Sequence, residues 1–299
     1  MSAIHRSGFV GLIGRPNVGK STILNYYVGQ KVAIVSPKPQ TTRHRIIGVL
    51  TRNDAQVMFI DSPGFHQPEH ALGRHMLETA KAVLEDADLV VMVIDGRRGL
   101  TEDDERVLSR LRTVKRPAVL AINKVDIAKK PKLLPLLHTC AATKLFDECI
   151  PVSALTGEQM DVLLSCIMAR LPEGPTWYEA ERRTDQPIRQ MVGELIREQV
   201  WLATRQEVPH AVAVLVDTIE EQPQLVSIEA TVFVERDGQK AILIGKGGAM
   251  LKQIGQSARR EIERLLGRKV YLGLWVKVSE DWRRDEQMLR RLGYLGMQG

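Results

Sequence analysis

The sequence predicts an α/β domain with a mostly parallel sheet and helices on both faces, followed by a smaller α+β module. Three observations carry that expectation. Short apolar runs alternate with helical patterns through the first half, a Pro172-Glu173-Gly174-Pro175 break interrupts them, and a different rhythm follows. The 299 residues, 44% apolar and 26% charged, suffice for two cores and exclude wholesale disorder and collagen-like repeats. No run reaches the roughly 18 apolar residues of a transmembrane helix, and Met1 to Val10 has no charged start followed by an apolar stretch, so secretion is not expected. Three cysteines, Cys140, Cys149 and Cys166, lack metal-like spacing and fit apolar filling in a reduced, cytoplasmic setting.

Phe9–Ile13 reads as a buried strand that ends in a glycine loop and leads into a helix over Ser21 to Gly29. Val57–Ile60, Leu89–Ile94, Ala118–Ile122 and Cys149–Val152 are four further buried strands, separated by helical patterns at Leu72–Glu85, Glu102–Arg112 and Asp161–Leu171. An edge strand at about Ala33–Ser36 can pair antiparallel with residues 48–60. The first domain is thus 1–172, with a linker at 173–183 and a second domain at 184–299. Thr184 or Asp185 is placed to cap a helix from Pro187 to about Thr204, whose Met191, Val192, Leu195, Ile196 and Val200 recur at helical spacing. Alternating runs follow at His210–Ile219 and Leu225–Glu235, then a glycine loop, a helix from Ala249 to Leu266, a strand at Lys269–Val278 and an arginine-rich helical tail from Arg283 to Tyr294.

Gly14-Arg15-Pro16-Asn17-Val18-Gly19-Lys20-Ser21, with Thr22 following, fits G-x-x-x-x-G-K-[ST]. Chance predicts about 0.008 such matches for a chain of this composition. Its glycines let backbone N–H groups wrap a phosphate at a helix N-terminus, Lys20 sets a positive charge on the β- and γ-phosphates, and Ser21 offers a hydroxyl to Mg²⁺. Asp61-Ser62-Pro63-Gly64 follows the strand ending at Ile60, so Asp61 is a candidate for holding Mg²⁺ and the Gly64 N–H for sensing a γ-phosphate. Asn123-Lys124-Val125-Asp126 closes another strand; a carboxylate there accepts from the ring N–H and amino group of guanine, which argues GTP over ATP. Ser153-Ala154-Leu155 after a fourth strand would offer a backbone N–H to the base oxygen. All four motifs fall at carboxyl ends of strands, the edge where open parallel sheets bind ligands.

This order of motifs resembles the GTPase family of small G domains, and the P-loop wording with Gln40-Thr41-Thr42-Arg43 resembles its bacterial translation-associated branch. The resemblance implies GTP and GDP as ligands and a switch threonine at Thr42, with Thr41 as runner-up, reaching Mg²⁺ beside Ser21 and Asp61. Phe65 stands where the Ras-like pattern has glutamine; an apolar ring cannot polarise water, so slow intrinsic hydrolysis is expected. His66 and Gln67 are adjacent polar residues. Asn17 is a candidate K⁺ holder, as in some relatives where K⁺ replaces an arginine finger. Lys20, Thr42, Gly64 and Asn17 are therefore the candidate catalytic residues.

In the second module, residues 205–237 carry a net charge of −5 and residues 240–278 a net +7. Ile244-Gly245-Lys246-Gly247-Gly248 precedes an apolar-periodic helix that also bears Lys252 and Arg259. This resembles a type II KH domain, whose G-x-x-G loop clamps about four nucleotides of single-stranded RNA. A translation-type G domain followed by such a domain in about 300 residues resembles the bacterial ribosome-assembly GTPases. The resemblance implies a monomer that binds small-subunit ribosomal RNA near its 3′ end and assists maturation of the small ribosomal subunit. It also implies a fraction at the surface of the inner membrane, for which the sequence offers no lipid anchor. Two other readings stand beside it: a membrane-surface signalling GTPase whose second module binds protein, and a P-loop kinase, against which Asn123-Lys124-Val125-Asp126 argues.

Overall fold

The structure, a computed structural model, describes residues 5–36, 41–65, 67–204 and 208–295. Gln40 and His66 lie outside the described residues. The chain divides into two compact units, Met1–Pro68 with Met76–Asp185, and Glu69–His75 with Gln186–Gly299.

The first unit is built on a six-stranded sheet of order β2-β3-β1-β4-β5-β6. Its strands are β1 (Arg6–Ile13), β2 (Ile46–Thr51), β3 (Ala55–Asp61), β4 (Leu89–Asp95), β5 (Ala118–Asn123) and β6 (Glu148–Pro151). All neighbours pair in parallel except β2, which forms an antiparallel hairpin with β3. Every residue of β3, β4 and β5 is buried, as strands covered on both faces must be. The helices between them are α1 (Lys20–Val28), α2 (Ala71–Asp86), α3 (Glu102–Leu111), α4 (Lys130–Ala142) and α5 (Met160–Arg170). One core layer packs Leu84, Val107, Leu108 and Leu111 against Val90, Met92, Leu120 and Ile122.

Three corrections concern this unit. Ala33–Ser36 is not a strand. The Asn25 side chain accepts from the N–H of Val32 (2.9 Å) and Ala33 (3.0 Å) and donates to the Ala33 carbonyl (2.7 Å), so a side chain satisfies backbone groups that a ladder would have used. The antiparallel partner of β3 is β2 instead. The stretch read as a linker is an ordered strap: the N–H groups of Trp177 and Tyr178 donate to Gln56 Oε1 at 2.7 and 2.9 Å, and Gln56 Nε2 returns a bond to the Tyr178 carbonyl at 2.8 Å. Trp177 also donates to Ser7 Oγ at 3.2 Å. Thr184 caps no helix; its hydroxyl donates to the Ile47 carbonyl at 2.7 Å, and the units divide after Asp185.

In the second unit, α6 (Ile188–Ala203) begins at Pro187 without a side-chain cap. It is followed by β7 (Ala213–Glu221), β8 (Val226–Val234), α7 (Asp237–Ile244), α8 (Ala249–Leu266), β9 (Val270–Val278) and α9 (Glu286–Arg291). The three strands form a sheet of order β7-β8-β9, antiparallel between β7 and β8 and parallel between β8 and β9. Helix α7 goes beyond the sequence reading, which ran from the second strand straight into the glycine loop. Val192, Ile196 and Val200 of α6 and Ile254, Ala258 and Ile262 of α8 form one core with Val226, Ile228, Ala230 and Val232. The tail packs on this unit: Trp282 is fully buried with its indole N–H on the Ala211 carbonyl at 2.8 Å, and Arg283 grips Glu235 through two bonds of 2.9 and 2.6 Å. Among the described residues no helix is long and apolar enough to cross a membrane.

Candidate functional site

The loop between β1 and α1 has a shape that only its glycines allow. Gly14 (φ 145°) and Gly19 (φ 104°) lie in the left-handed half of conformational space. A Cβ at Gly14 would come 2.4 Å from the Val93 carbonyl oxygen, and one at Gly19 2.2 Å from Asn123 Nδ2. Helix α1 starts directly after Gly19, so its unpaired N–H groups face the loop. Lys20 Nζ donates to the carbonyls of Gly14 and Arg15, each at 3.2 Å, inside a buried site. Burial pulls its pKa down to about 8, with the Asp61 carboxylate pulling the other way.

Ser21, Thr42 and Asp61 form one cluster. The Ser21 hydroxyl donates to Asp61 Oδ2 at 2.6 Å, the Thr42 hydroxyl donates to the same oxygen at 3.1 Å, and the two hydroxyls are 3.0 Å apart. Asp61 is fully buried and its second carboxylate oxygen, Oδ1, has no hydrogen bond. Burial raises its pKa, offset in part by the Lys20 charge and the two hydroxyl bonds. Two hydroxyls, a carboxylate and an unpartnered buried oxygen suit a hard, oxygen-loving divalent cation. Ser62 is turned inward onto the Leu12 carbonyl at 3.0 Å, while Gly64 lies so close to the P-loop that a Cβ would come 2.6 Å from Pro16 N. The Phe65 N–H donates to the Gly14 carbonyl at 3.3 Å, and its side chain is buried as part of the core cluster that also holds Ile13, Leu84, Val107 and Leu111.

Asn123 ties three motifs together: its Nδ2 donates to the Val18 carbonyl at 2.9 Å and its Oδ1 accepts from the Ala154 N–H at 3.0 Å. Lys124 Nζ donates to the Asn17 carbonyl and pairs with Asp95 at 3.0 Å. Burial disfavours the Asp95 charge, yet the bond and charge of Lys124 outweigh it and hold its pKa below the usual range. Asp126 is exposed at the mouth, with one carboxylate oxygen accepting from Ser153 Oγ at 2.7 Å, while Ala154 is buried and Leu155 stands out in solvent. Val125 begins a short 3₁₀ turn at this edge. Asn17 occupies the loop with φ 64°.

Sequence reasoning named neither Asp95 nor Asp104. Asp95 ends a buried strand at the ligand edge, which was a usable signal. Asp104 accepts from Arg15 Nε at 3.1 Å and closes the capping box of α3 with Thr101. The Arg15 guanidinium therefore braces the loop, and only its backbone is turned to the phosphate region.

In the second unit, Gly245, Gly247 and Gly248 all have positive φ (71°, 59° and 79°), and a Cβ at Gly245 would meet Met250 Cβ at 2.7 Å. Nothing lies within 4 Å of a Cβ built at Gly247 or Gly248, so a phosphate has clear approach to that backbone. The loop, with Ile244 ending α7 and Lys246 in its turn, opens onto a groove of about 910 Å³. Gly248, Leu251, Lys252, Gln256 and Arg259 line one wall and Val270, Leu272 and Leu274 of β9 the other. An apolar floor with cations at the rim is what single-stranded RNA requires. Gln256 and Lys269, which the sequence reading passed over, belong to the same lining.

A P-loop, a hydroxyl and carboxylate cluster and an Asn-Lys-x-Asp turn on one sheet edge, followed by a KH fold, define a GTPase with an appended KH domain. The family model described as a 50S ribosome-binding GTPase matches residues 9–124, and the KH domain model matches residues 207–283. The chain belongs to the Era family. It is similar to a variant of Aquifex aeolicus Era bound to GDP and AlF4⁻, at 40% identity and a TM-score of 0.94, over 97% of this chain and 100% of that one. It is equally similar to Era in complex with MgGDPNP and nucleotides 1506–1542 of 16S ribosomal RNA, at 40% identity and a TM-score of 0.95, over 98% and 100% of the two chains.

Proposed function

We propose that this chain is a slow GTP-hydrolysing switch that binds small-subunit ribosomal RNA near its 3′ end and assists maturation of that subunit. The observation that carries the reading is the presence, in one chain, of the Ser21–Thr42–Asp61 cluster beside Lys20 and of a glycine-opened groove rimmed by Lys252 and Arg259. The Era structure holding MgGDPNP together with 16S RNA supports it.

Gly14 to Thr22 would wrap the phosphates, with Lys20 on the β- and γ-phosphates. Asn123 and Lys124 hold the turn from which Asp126 pairs with guanine. Ser21, Thr42 and Asp61 would hold Mg²⁺, which when bound neutralises phosphate charge and orients the γ-phosphate. Thr42 and the Gly64 N–H would sense that phosphate and order the segments around them. Water then attacks in line and the bond from phosphorus to the leaving oxygen of GDP breaks. Phe65, buried in the core, gives this water no polar partner, so intrinsic turnover is slow. Asn17 is the residue for a K⁺ that would supply the missing positive charge; hydrolysis faster in K⁺ than in Na⁺ checks this.

The test is titration of a 3′-end oligomer of small-subunit ribosomal RNA against the protein loaded with GDP or a non-hydrolysable GTP analogue. Tighter binding in the analogue state is expected. Absence of preference for this oligomer over unrelated single strands overturns the RNA assignment.

A further inference from the structure

The sheet of the second unit has two faces, and the RNA groove accounts for one of them. Even-numbered positions of β8 and β9 face the helices, since Val226, Ile228, Ala230, Val232, Val270 and Val276 all lie in the core. Odd-numbered positions point the other way. At one end the tail covers this second face, with the Arg291 guanidinium 5.9 Å from the centre of the buried Phe233 ring. At the other end the face is open, and there Tyr271 and Trp275 are 56% and 49% exposed. Four residues along one strand set their Cα atoms about 13 Å apart.

Gly273 lies between them. Its strand neighbour in register is Glu229 of β8, whose carboxylate lies across the glycine so closely that a Cβ there would come 2.2 Å from Oε2. That oxygen is buried and has no hydrogen bond. A glycine inside a strand marks a close approach, and a desolvated carboxylate oxygen without a donor is costly to keep. Asp217, Glu220 and Glu229 outnumber Lys277, the exposed cation two residues beyond Trp275 on this face. Asp217 bonds Thr231 at 2.7 Å on this side, and Glu220 stands opposite Ser227. Phosphate would be repelled here, whereas aromatic rings around a carboxylate favour a guanidinium or ammonium group.

We propose that this sheet face docks a Lys/Arg-rich polypeptide segment of a partner protein, one cationic side chain of which enters between Tyr271 and Trp275 and pairs with Glu229. The acidic half of the module thereby has a binding role of its own, separate from the basic groove. Tyr271 also borders that groove, so Trp275 and Glu229 are the discriminating positions.

The test is titration of the full chain with a labelled Arg-Gly repeat peptide at physiological salt, beside a peptide with glutamate in place of arginine. Trp275→Ala and Glu229→Gln should each weaken the Arg-Gly peptide about tenfold. Both should leave the affinity for the 3′-end RNA oligomer unchanged, and Glu229→Gln should raise the thermal midpoint by relieving the unpaired carboxylate. Equal peptide binding in wild type and both variants overturns the proposal. So does displacement of the peptide by the RNA oligomer, which would make this face part of the RNA surface. A concentration-dependent dimer lost in the same variants would assign the face to a second copy of the chain instead.

Discussion

Lys20 makes nucleotide binding a proton-linked event. Without nucleotide its ammonium has two backbone carbonyls and the charges of Asp61 and Asp104 against full burial and the Arg15 charge, and its pKa falls to about 8. A bound polyphosphate requires the charged form and pulls the pKa back up. The free protein is then about nine-tenths charged at pH 7, half at pH 8 and one-tenth at pH 9. Binding of MgGDP, whose own phosphates are fully ionised there, should take up about half a proton at pH 8, and affinity should drop about tenfold from pH 7 to 9. Calorimetry in buffers of different ionisation enthalpy reads the uptake directly. A binding enthalpy independent of buffer at pH 8, with flat affinity to pH 9, would refute the reasoning. The same shift has a stability sign. The unfolded chain binds more protons between pH 8 and the ordinary lysine value, so the Lys20 contribution makes the nucleotide-free fold more stable as pH rises through that window. Replacing the charge should do the same at neutral pH: Lys20→Met is expected to raise the thermal midpoint of the free protein while abolishing nucleotide binding.

Asn123→Ala leaves the Val18 carbonyl and the Ala154 N–H buried without partners and should cost about 2–4 kcal/mol of stability; an unchanged denaturation midpoint would sink that account. Phe65→Gln puts an amide into the apolar layer formed with Leu84 and Val107, so it should destabilise the first unit by about 2 kcal/mol or more without speeding hydrolysis. Faster turnover in that variant would show that the side chain reaches the phosphate site. Gly64→Ala drives a Cβ into the Pro16 backbone; GTP hydrolysis is expected to fall sharply while GDP binding stays nearly level, and an active variant would argue against γ-phosphate sensing there.

How far the sequence was readable depends on the range of the interaction. The P-loop, the Asp61 turn and the Asn123 turn were legible because each joins an apolar strand to glycine or acidic punctuation within a few residues. Ser21 and Asp61 could each be assigned to Mg²⁺ from their own motifs, whereas Thr42 joined them from the resemblance alone, since nothing local marks it. The brace from Arg15 to Asp104 spans 89 residues and left no trace in the pattern. The edge strand proposed at Ala33–Ser36 failed because β-propensity does not register that Asn25 already serves those backbone groups. Helix α4 escaped notice because it carries prolines at its start and at Pro135 and buries only Cys140, so its periodicity is weak. Phe65 was legible as a missing glutamine, but its place in the core had to come from the fold.

The strap at Trp177 and Tyr178 bears on how the molecule can be taken apart. A fragment stopped at Pro172, where the composition changes, would strip Gln56 of three backbone partners and uncover Phe9, whose ring lies 6.3 Å from that of Trp177. The fragment that keeps its own seam closed runs on to Asp185, with Thr184 still fastened to Ile47. The Pro-Glu-Gly-Pro sequence is therefore a bend within the first unit, which runs on for ten residues past Pro175.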